Sequence, residues 1–195
     1  MVVLKNIMSN LFILTGLPGS GKTTFAKNVL SEHPEIIYLS SDRIRQAFTN
    51  YKDNHEKIFS IMNLATLWNL RCNHDVIYDS TNLERRFRIQ LYQKAKELKT
   101  DTKVFNIFIH PGLEKSILQS EQRKNREDVT PQLIKDMYKT MQIPSLGEDC
   151  DCIIVPINEK NKIVEFADNI TFQNYIQNID RNLLTKTCKG EEYCI

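Results

Sequence analysis

No stretch of the 195-residue chain approaches the roughly 20 consecutive apolar residues that cross a bilayer, so no membrane partner is expected. The opening Met1-Val2-Val3-Leu4-Lys5-Asn6 lacks the charged-then-apolar layout of a secretion signal, and a cytoplasmic location is the expectation. Cysteine is scarce and odd in number: Cys72, Cys150, Cys152, Cys188 and Cys194 argue against a disulfide framework. No Cys/His couple stands at zinc-finger spacing, so a structural zinc site is not expected either. Neither sign of charge dominates, with 26 Lys/Arg against 24 Asp/Glu. Internal repeats and Gly/Ser linkers are also missing. What remains, at 41% hydrophobic, fits one α/β domain large enough to bury a core.

The near-neutral total hides an asymmetry. Residues 1–100 carry 14 Lys/Arg against 9 Asp/Glu, and 81–126 alone carry 11 against 5. Five short apolar, β-rich runs recur at Leu11–Thr15, Ile36–Ser40, Val76–Asp79, Val104–Ile109 and Ile153–Val155. Helical patterns separate them, which predicts parallel strands joined by crossover helices. The spacing of Ile58, Ile61, Met62, Ala65 and Trp68 predicts a helix that buries this stripe. Lys57, Ser60, Asn63, Thr66 and Asn69 would form its wet face. A second helix, from about Leu83 to Lys99, is expected to bury Phe87, Leu91, Ala95 and Leu98. The charged segment of about 112–141 has the layout of a helical lid, its second helix opened by Pro131. Residues 157–195 read as a turn, peripheral helices from Phe166 to Leu184, and a tail belonging to the same unit as the 1–156 domain. His33, His55, His74 and His110 stand at no catalytic spacing from a Ser or Cys and read as structural or exposed.

Three constellations carry chemistry. Gly16-Leu17-Pro18-Gly19-Ser20-Gly21-Lys22-Thr23 follows an apolar run and precedes a helix, the layout in which backbone N–H groups wrap nucleotide phosphates. Lys22 would reach the β/γ-phosphates, the Thr23 hydroxyl would ligate Mg²⁺, and the helix expected from Thr24 directs its positive end at the anion. Ser41-Asp42-Arg43-Ile44-Arg45 lies just past the second strand. Asp42 there reads either as a helix cap or as a base for an attacking hydroxyl, with Arg45 on the same helical face to hold an anion. Asp79-Ser80-Thr81-Asn82-Leu83-Glu84-Arg85-Arg86 ends the third strand in a carboxylate suited to magnesium or to orienting an arginine. Arg85, Arg86 and Arg88 then open a helix whose dipole disfavours cations, which suggests an anionic ligand. Arg123 and Arg126 on the lid can close over a transferring phosphoryl group. No Asn-Lys-x-Asp, Asp-x-x-Gly or Asp-x-Asp-Gly motif points to a guanine-nucleotide switch or a phosphatase.

Between Leu11 and Val155 these motifs, with Val129-Thr130-Pro131 after the lid, resemble the 5′-kinase domain of the polynucleotide kinase family. The resemblance implies a P-loop kinase fold, about five parallel strands flanked by helices, with ATP and Mg²⁺ as cofactors. The implied reaction is transfer of the γ-phosphoryl group to the 5′-hydroxyl of RNA or DNA ends. A small-molecule hydroxyl on a nucleoside, sugar or nucleotide-sugar is the alternative. Carried over residue by residue, Gly16, Gly19, Ser20, Gly21, Lys22, Thr23 and Thr24 would hold the nucleotide. Asp42 would be the general base, Arg45 would grip the phosphate 3′ of the attacked nucleotide, and Asp79 would support it. Asn82, Arg85 and Arg86 would complete the acceptor side. Arg126, with Arg123 as competitor, would be the lid arginine.

Overall fold

All five apolar runs are strands: β1 (Asn10–Thr15), β2 (Ile37–Ser40), β3 (Val76–Asp79), β4 (Lys103–Phe108) and β5 (Cys152–Pro156). They are parallel, and a sixth strand, β6 (Ile163–Phe166), adds antiparallel to β5. The computed structural model describes residues 9–98, 101–122, 129–156, 163–180 and 182–183. The sheet order is β2-β3-β1-β4-β5-β6. The chain therefore leaves β1 for one flank and returns to the other through β4. That reversal opens a crevice at the carboxyl end of β1, the place where open α/β sheets bind ligands.

The helices are α1 (Lys22–Glu32), α2 (Ser41–Ala47), α3 (His55–Arg71), α4 (Arg85–Leu98), α5 (Leu113–Glu121), α6 (Pro131–Thr140) and α7 (Asn169–Ile179). Successive side chains of a strand face opposite ways. Leu11 and Ile13 accordingly join a core with Met62, Leu91 and Phe172, while Leu14 joins a second one with Ala26, Ile77 and Ile107. Local chemistry fixes the helix starts. Asn54 accepts the Lys57 N–H at 3.0 Å to cap α3, and Asp168 accepts the Thr171 N–H at 2.7 Å to cap α7. Thr130 caps α6 by accepting the Leu133 N–H, and Pro131 occupies the first turn, where its missing donor costs nothing.

Four expectations need correction. The buried stripe of α3 is Ile58, Met62, Thr66 and Leu70, a strict i, i+4 row, and Trp68 lies off it at 64% exposure. Thr66 tolerates burial because its hydroxyl donates to the Met62 carbonyl at 2.8 Å. On α4 the buried row is Arg88, Leu91 and Ala95, while Phe87 is half exposed and Leu98 also reaches solvent. The five expected parallel strands are joined by an antiparallel sixth, and Phe166, expected to open a peripheral helix, closes it instead. Finally, the cap position of α2 falls on Ser40, and Asp42 is inside the first turn.

Arg88 is the largest fully buried side chain among the described residues. Its guanidinium pairs with Asp149 at 2.8 Å and donates to the carbonyls of Asn82, Leu83, Gln142 and Ile143. Burial pulls its pKa down, and the Asp149 carboxylate opposes that. Removing one partner of such a pair strands a buried charge, which costs about 3 kcal/mol. Arg88→Met is therefore expected to lower unfolding stability by roughly that amount in urea titrations, and a loss below about 1 kcal/mol would show the pair to be dispensable.

Candidate active site

The loop after β1 is built by close backbone approach. A Cβ on Gly16 would stand 2.3 Å from the Ile109 carbonyl oxygen, and one on Gly19 would stand 2.0 Å from that of Ser116. Gly19 also has φ +80°, a conformation that side chains resist. The Gly16 N–H donates to Thr81 at 3.0 Å, which ties this loop to the segment after β3. Gly21 caps α1, so the helix starts at Lys22, and Thr23 and Thr24 occupy its first turn. The buried Lys22 ammonium donates to the carbonyls of Gly16 and Leu17 at 2.9 and 2.8 Å, holding a compact cation inside the loop. The Ser20 hydroxyl is buried with no hydrogen-bond partner among the described residues. A phosphate oxygen in the loop would supply one.

Beside the loop, Thr23 Oγ1 donates to Asp79 Oδ2 at 3.1 Å. The same carboxylate oxygen accepts the Tyr38 hydroxyl at 2.5 Å. Burial, reinforced by that hydrogen bond and the negative charge of Asp79, pushes the Tyr38 hydroxyl up to about 12, so it remains a donor at neutral pH. A hydroxyl next to a carboxylate, at the mouth of a phosphate loop, is the hard-oxygen donor set that Mg²⁺ takes up together with nucleotide oxygens. Thr23 and Asp79 fit that ion.

The strand register carries the end of β2 to the same edge. Ser40 pairs with Asp79, and Leu14 pairs with Asp79 from the other side. Asp42 thus emerges two residues beyond the sheet edge where β1 ends. Its carboxylate lies 3.6 Å from Arg45 on the next turn of α2. Arg45 also reaches His55 Nδ1 at 3.2 Å and lies 5.9 Å from the Phe59 ring centre, so α2 and α3 hold it jointly.

Other residues singled out in the sequence lie elsewhere. Asn82, at φ 48°, donates to the Leu14 carbonyl at 2.7 Å and so braces β1 against the loop after β3. Arg85 donates to Glu148 and to the Ile143 carbonyl, and Arg86 pairs at the surface with Glu84. The cations at the start of α4 thus have protein carboxylates as partners, 61 and 63 residues away in the cases of Arg88 and Arg85. Arg123 and Arg126 lie outside the described residues. Sequence reading missed the far wall of the nucleotide side. A cleft of about 870 Å³ runs from Gly19, Ser20 and Gly21 past Thr24 to Lys115 and Tyr175, supplied by α5 and α7. Nothing local in the sequence marks these two. A lysine on a charged helix and a tyrosine on a peripheral one acquire meaning only from the sheet order.

A phosphate loop on the central strand of a mostly parallel sheet, with a Thr–carboxylate pair beside it, defines a P-loop kinase or ATPase. The chain belongs to the KTI12 family, described as chromatin associated protein KTI12, whose profile matches residues 8–188. It is 30% identical over 173 residues to an L-seryl-tRNA(Sec) kinase of Methanococcus maripaludis, covering 82% of this chain and 66% of that protein. To protein KTI12 of Saccharomyces cerevisiae it is 26% identical over 176 residues, covering 82% and 55%. The chain thus spans less than two thirds of the length of either relative. Among solved structures, Chaetomium thermophilum Kti12 in complex with ADP-AlF3 aligns with a TM-score of 0.57 at 21% identity, over 87% of this chain and 96% of that one. The polynucleotide-kinase resemblance holds at the level of the P-loop kinase fold, while the family matched is KTI12.

Proposed function

We propose that this chain transfers the γ-phosphoryl group of ATP to a hydroxyl at the end of a nucleic acid, RNA in the first instance. The observation that carries the reading is the Asp42–Arg45 pair at the sheet edge shared by the phosphate loop and Asp79. A nucleotide switch needs neither a carboxylate nor an arginine there. Asp42 accepts the proton of the attacking hydroxyl, whose oxygen bonds to the γ-phosphorus as the bond to the β-phosphate oxygen breaks and ADP leaves. Lys22 stabilises the oxygens that gain charge. Thr23 and Asp79 would hold Mg²⁺, which would supply further neutralisation of the phosphate charge. Arg45 holds a phosphate of the acceptor. The 30% identity to a kinase whose named acceptor is a seryl-tRNA supports an RNA-borne hydroxyl.

The test is γ-labelled ATP with a panel of acceptors: 5′-hydroxyl RNA and DNA oligonucleotides, seryl-tRNA, nucleosides, sugars and water alone. Label in an RNA is expected. Label confined to a nucleoside or sugar retires the RNA reading, and release of inorganic phosphate alone retires the kinase reading. Arg45→Ala sharpens the result. A charge-assisted contact to phosphate contributes about 1.5–3 kcal/mol, so kcat/KM should fall roughly 10- to 150-fold on phosphate-bearing acceptors. A bare nucleoside offers Arg45 no such anion, and any activity on it should be unchanged. Wild-type activity on RNA should also fall as salt rises.

A further inference from the structure

A second cavity of about 650 Å³ lies between α3, α4 and α6 and shares no lining residue with the nucleotide cleft. We infer that it receives the nucleobase of the acceptor nucleotide that carries the attacked hydroxyl, a deepening that rests on the function proposed above. Continuity comes first. His55 and Phe59, the two α3 residues that hold Arg45, both line this cavity. A phosphate gripped by Arg45 therefore has its own nucleoside at the cavity mouth. The volume is that of a small-molecule site and accommodates one nucleoside.

Composition selects a base over a second phosphate. Phe59 from α3 and Phe87 from α4 both face the cavity, and Phe87 remains half exposed. Aromatic side chains are the usual platforms for unstacked bases, because every base has a π-face. The Arg86 guanidinium stands 4.6 Å from the centre of the Phe87 ring and keeps a cation at this rim. Deeper in, Tyr78 donates its hydroxyl to Asn63 Oδ1 at 2.8 Å, which fixes the amide and leaves its NH₂ to donate to a ring nitrogen or carbonyl. Glu56 and Glu84 also line the cavity. Lys94 lines it too, and Glu84 is already paired with Arg86, so Glu56 is the carboxylate placed to accept from an exocyclic amine.

The experiment uses two short 5′-hydroxyl RNAs, one with 2-aminopurine at its 5′ terminus and one at its 3′ terminus, each with a distal dye that reports binding by anisotropy. At saturation with ADP-loaded protein, the 2-aminopurine at the reacting end is expected to be quenched by stacking. Phe87→Ala and Phe87→Leu should both abolish the quenching and weaken RNA binding about 10-fold, with ADP affinity unchanged. Phe87→Tyr should restore both. A purely apolar or structural role would let Leu substitute. RNA bound with neither terminus quenched, or quenching indifferent to all three variants, overturns the assignment. Phosphoryl transfer to RNA without quenching removes this cavity from the mechanism and leaves the kinase function standing. Quenching without transfer does the reverse, and no RNA binding ends both.

Discussion

Lys22→Ala is expected to reduce phosphoryl transfer at least 10³-fold while leaving the unfolding transition in place. The wild-type ammonium is already buried in the loop, 2.8–2.9 Å from two of its carbonyls, so little reorganisation separates its resting position from one against the phosphates. Charge builds on the γ-phosphoryl oxygens as the transition state forms, and a preorganised cation there contributes roughly 3 kcal/mol or more. The lysine serves those oxygens more than it serves the fold. Its loss leaves the buried carbonyls of Gly16 and Leu17 without this donor, a cost of about 1–3 kcal/mol that lowers the unfolding midpoint without abolishing the transition. Turnover within tenfold of wild type in a folded Lys22→Ala protein would show that this loop does not carry the chemistry.

Asp42→Asn should lower kcat by about 10²–10⁴, the loss typical of a positioned general base, with ATP affinity close to wild type. The amide keeps the size of the side chain and its place on α2, and it cannot accept the hydroxyl proton. Nucleotide titration beside single-turnover rates separates the possibilities. If ATP affinity collapses while transfer per bound complex survives, Asp42 belongs to the nucleotide's surroundings instead. The 3.6 Å pairing with Arg45 adds a further check. In the asparagine variant Arg45 loses a carboxylate neighbour, so affinity for a phosphate-bearing acceptor should hold or rise while kcat falls. A parallel drop in both would point to a disturbed α2.

What could be read from the chain was what neighbouring residues decide among themselves. The loop from Gly16 to Thr23 announces itself because three glycines, a lysine and a hydroxyl must stand within eight positions to surround a phosphate. The strands were legible because β-rich apolar runs alternate with helical spacing. Asp42, Arg45 and Asp79 were placed by the rule that strand carboxyl ends share an edge. The failures have a common cause. Arg88 reads locally as a cation facing an anionic ligand because its partner, Asp149, is 61 residues away, and no local pattern predicts that a guanidinium will be buried. Trp68 joins the expected core stripe on helical spacing, although it stands about 120° around α3 from Met62, and Thr66 takes the inward place by bonding to its own helix. β6 is four residues long and pairs only with β5, so its existence depends on a neighbour rather than on its own alternation. Lys115 and Tyr175 became candidates only once the sheet order placed α5 and α7 beside the loop.

The five-fold grip of Arg88 also has a mechanical side. It clasps the chain just before α4 at Asn82 and Leu83 and the chain just after α6 at Gln142 and Ile143. The Gln142 N–H donates to Leu83, and its side chain accepts the Arg85 N–H, so the two segments are stitched twice more. The trailing end of α6 is thereby moored to the turn that braces β1 through Asn82. Any displacement of α6 must therefore be a rotation about that mooring, because a sliding displacement would tear out a buried cation. Such a rotation moves Thr140 least and Pro131 most. A tether of this kind fixes the end of α6 where Met137 and Thr140 meet the cavity beside α3 and α4, so that wall keeps its shape.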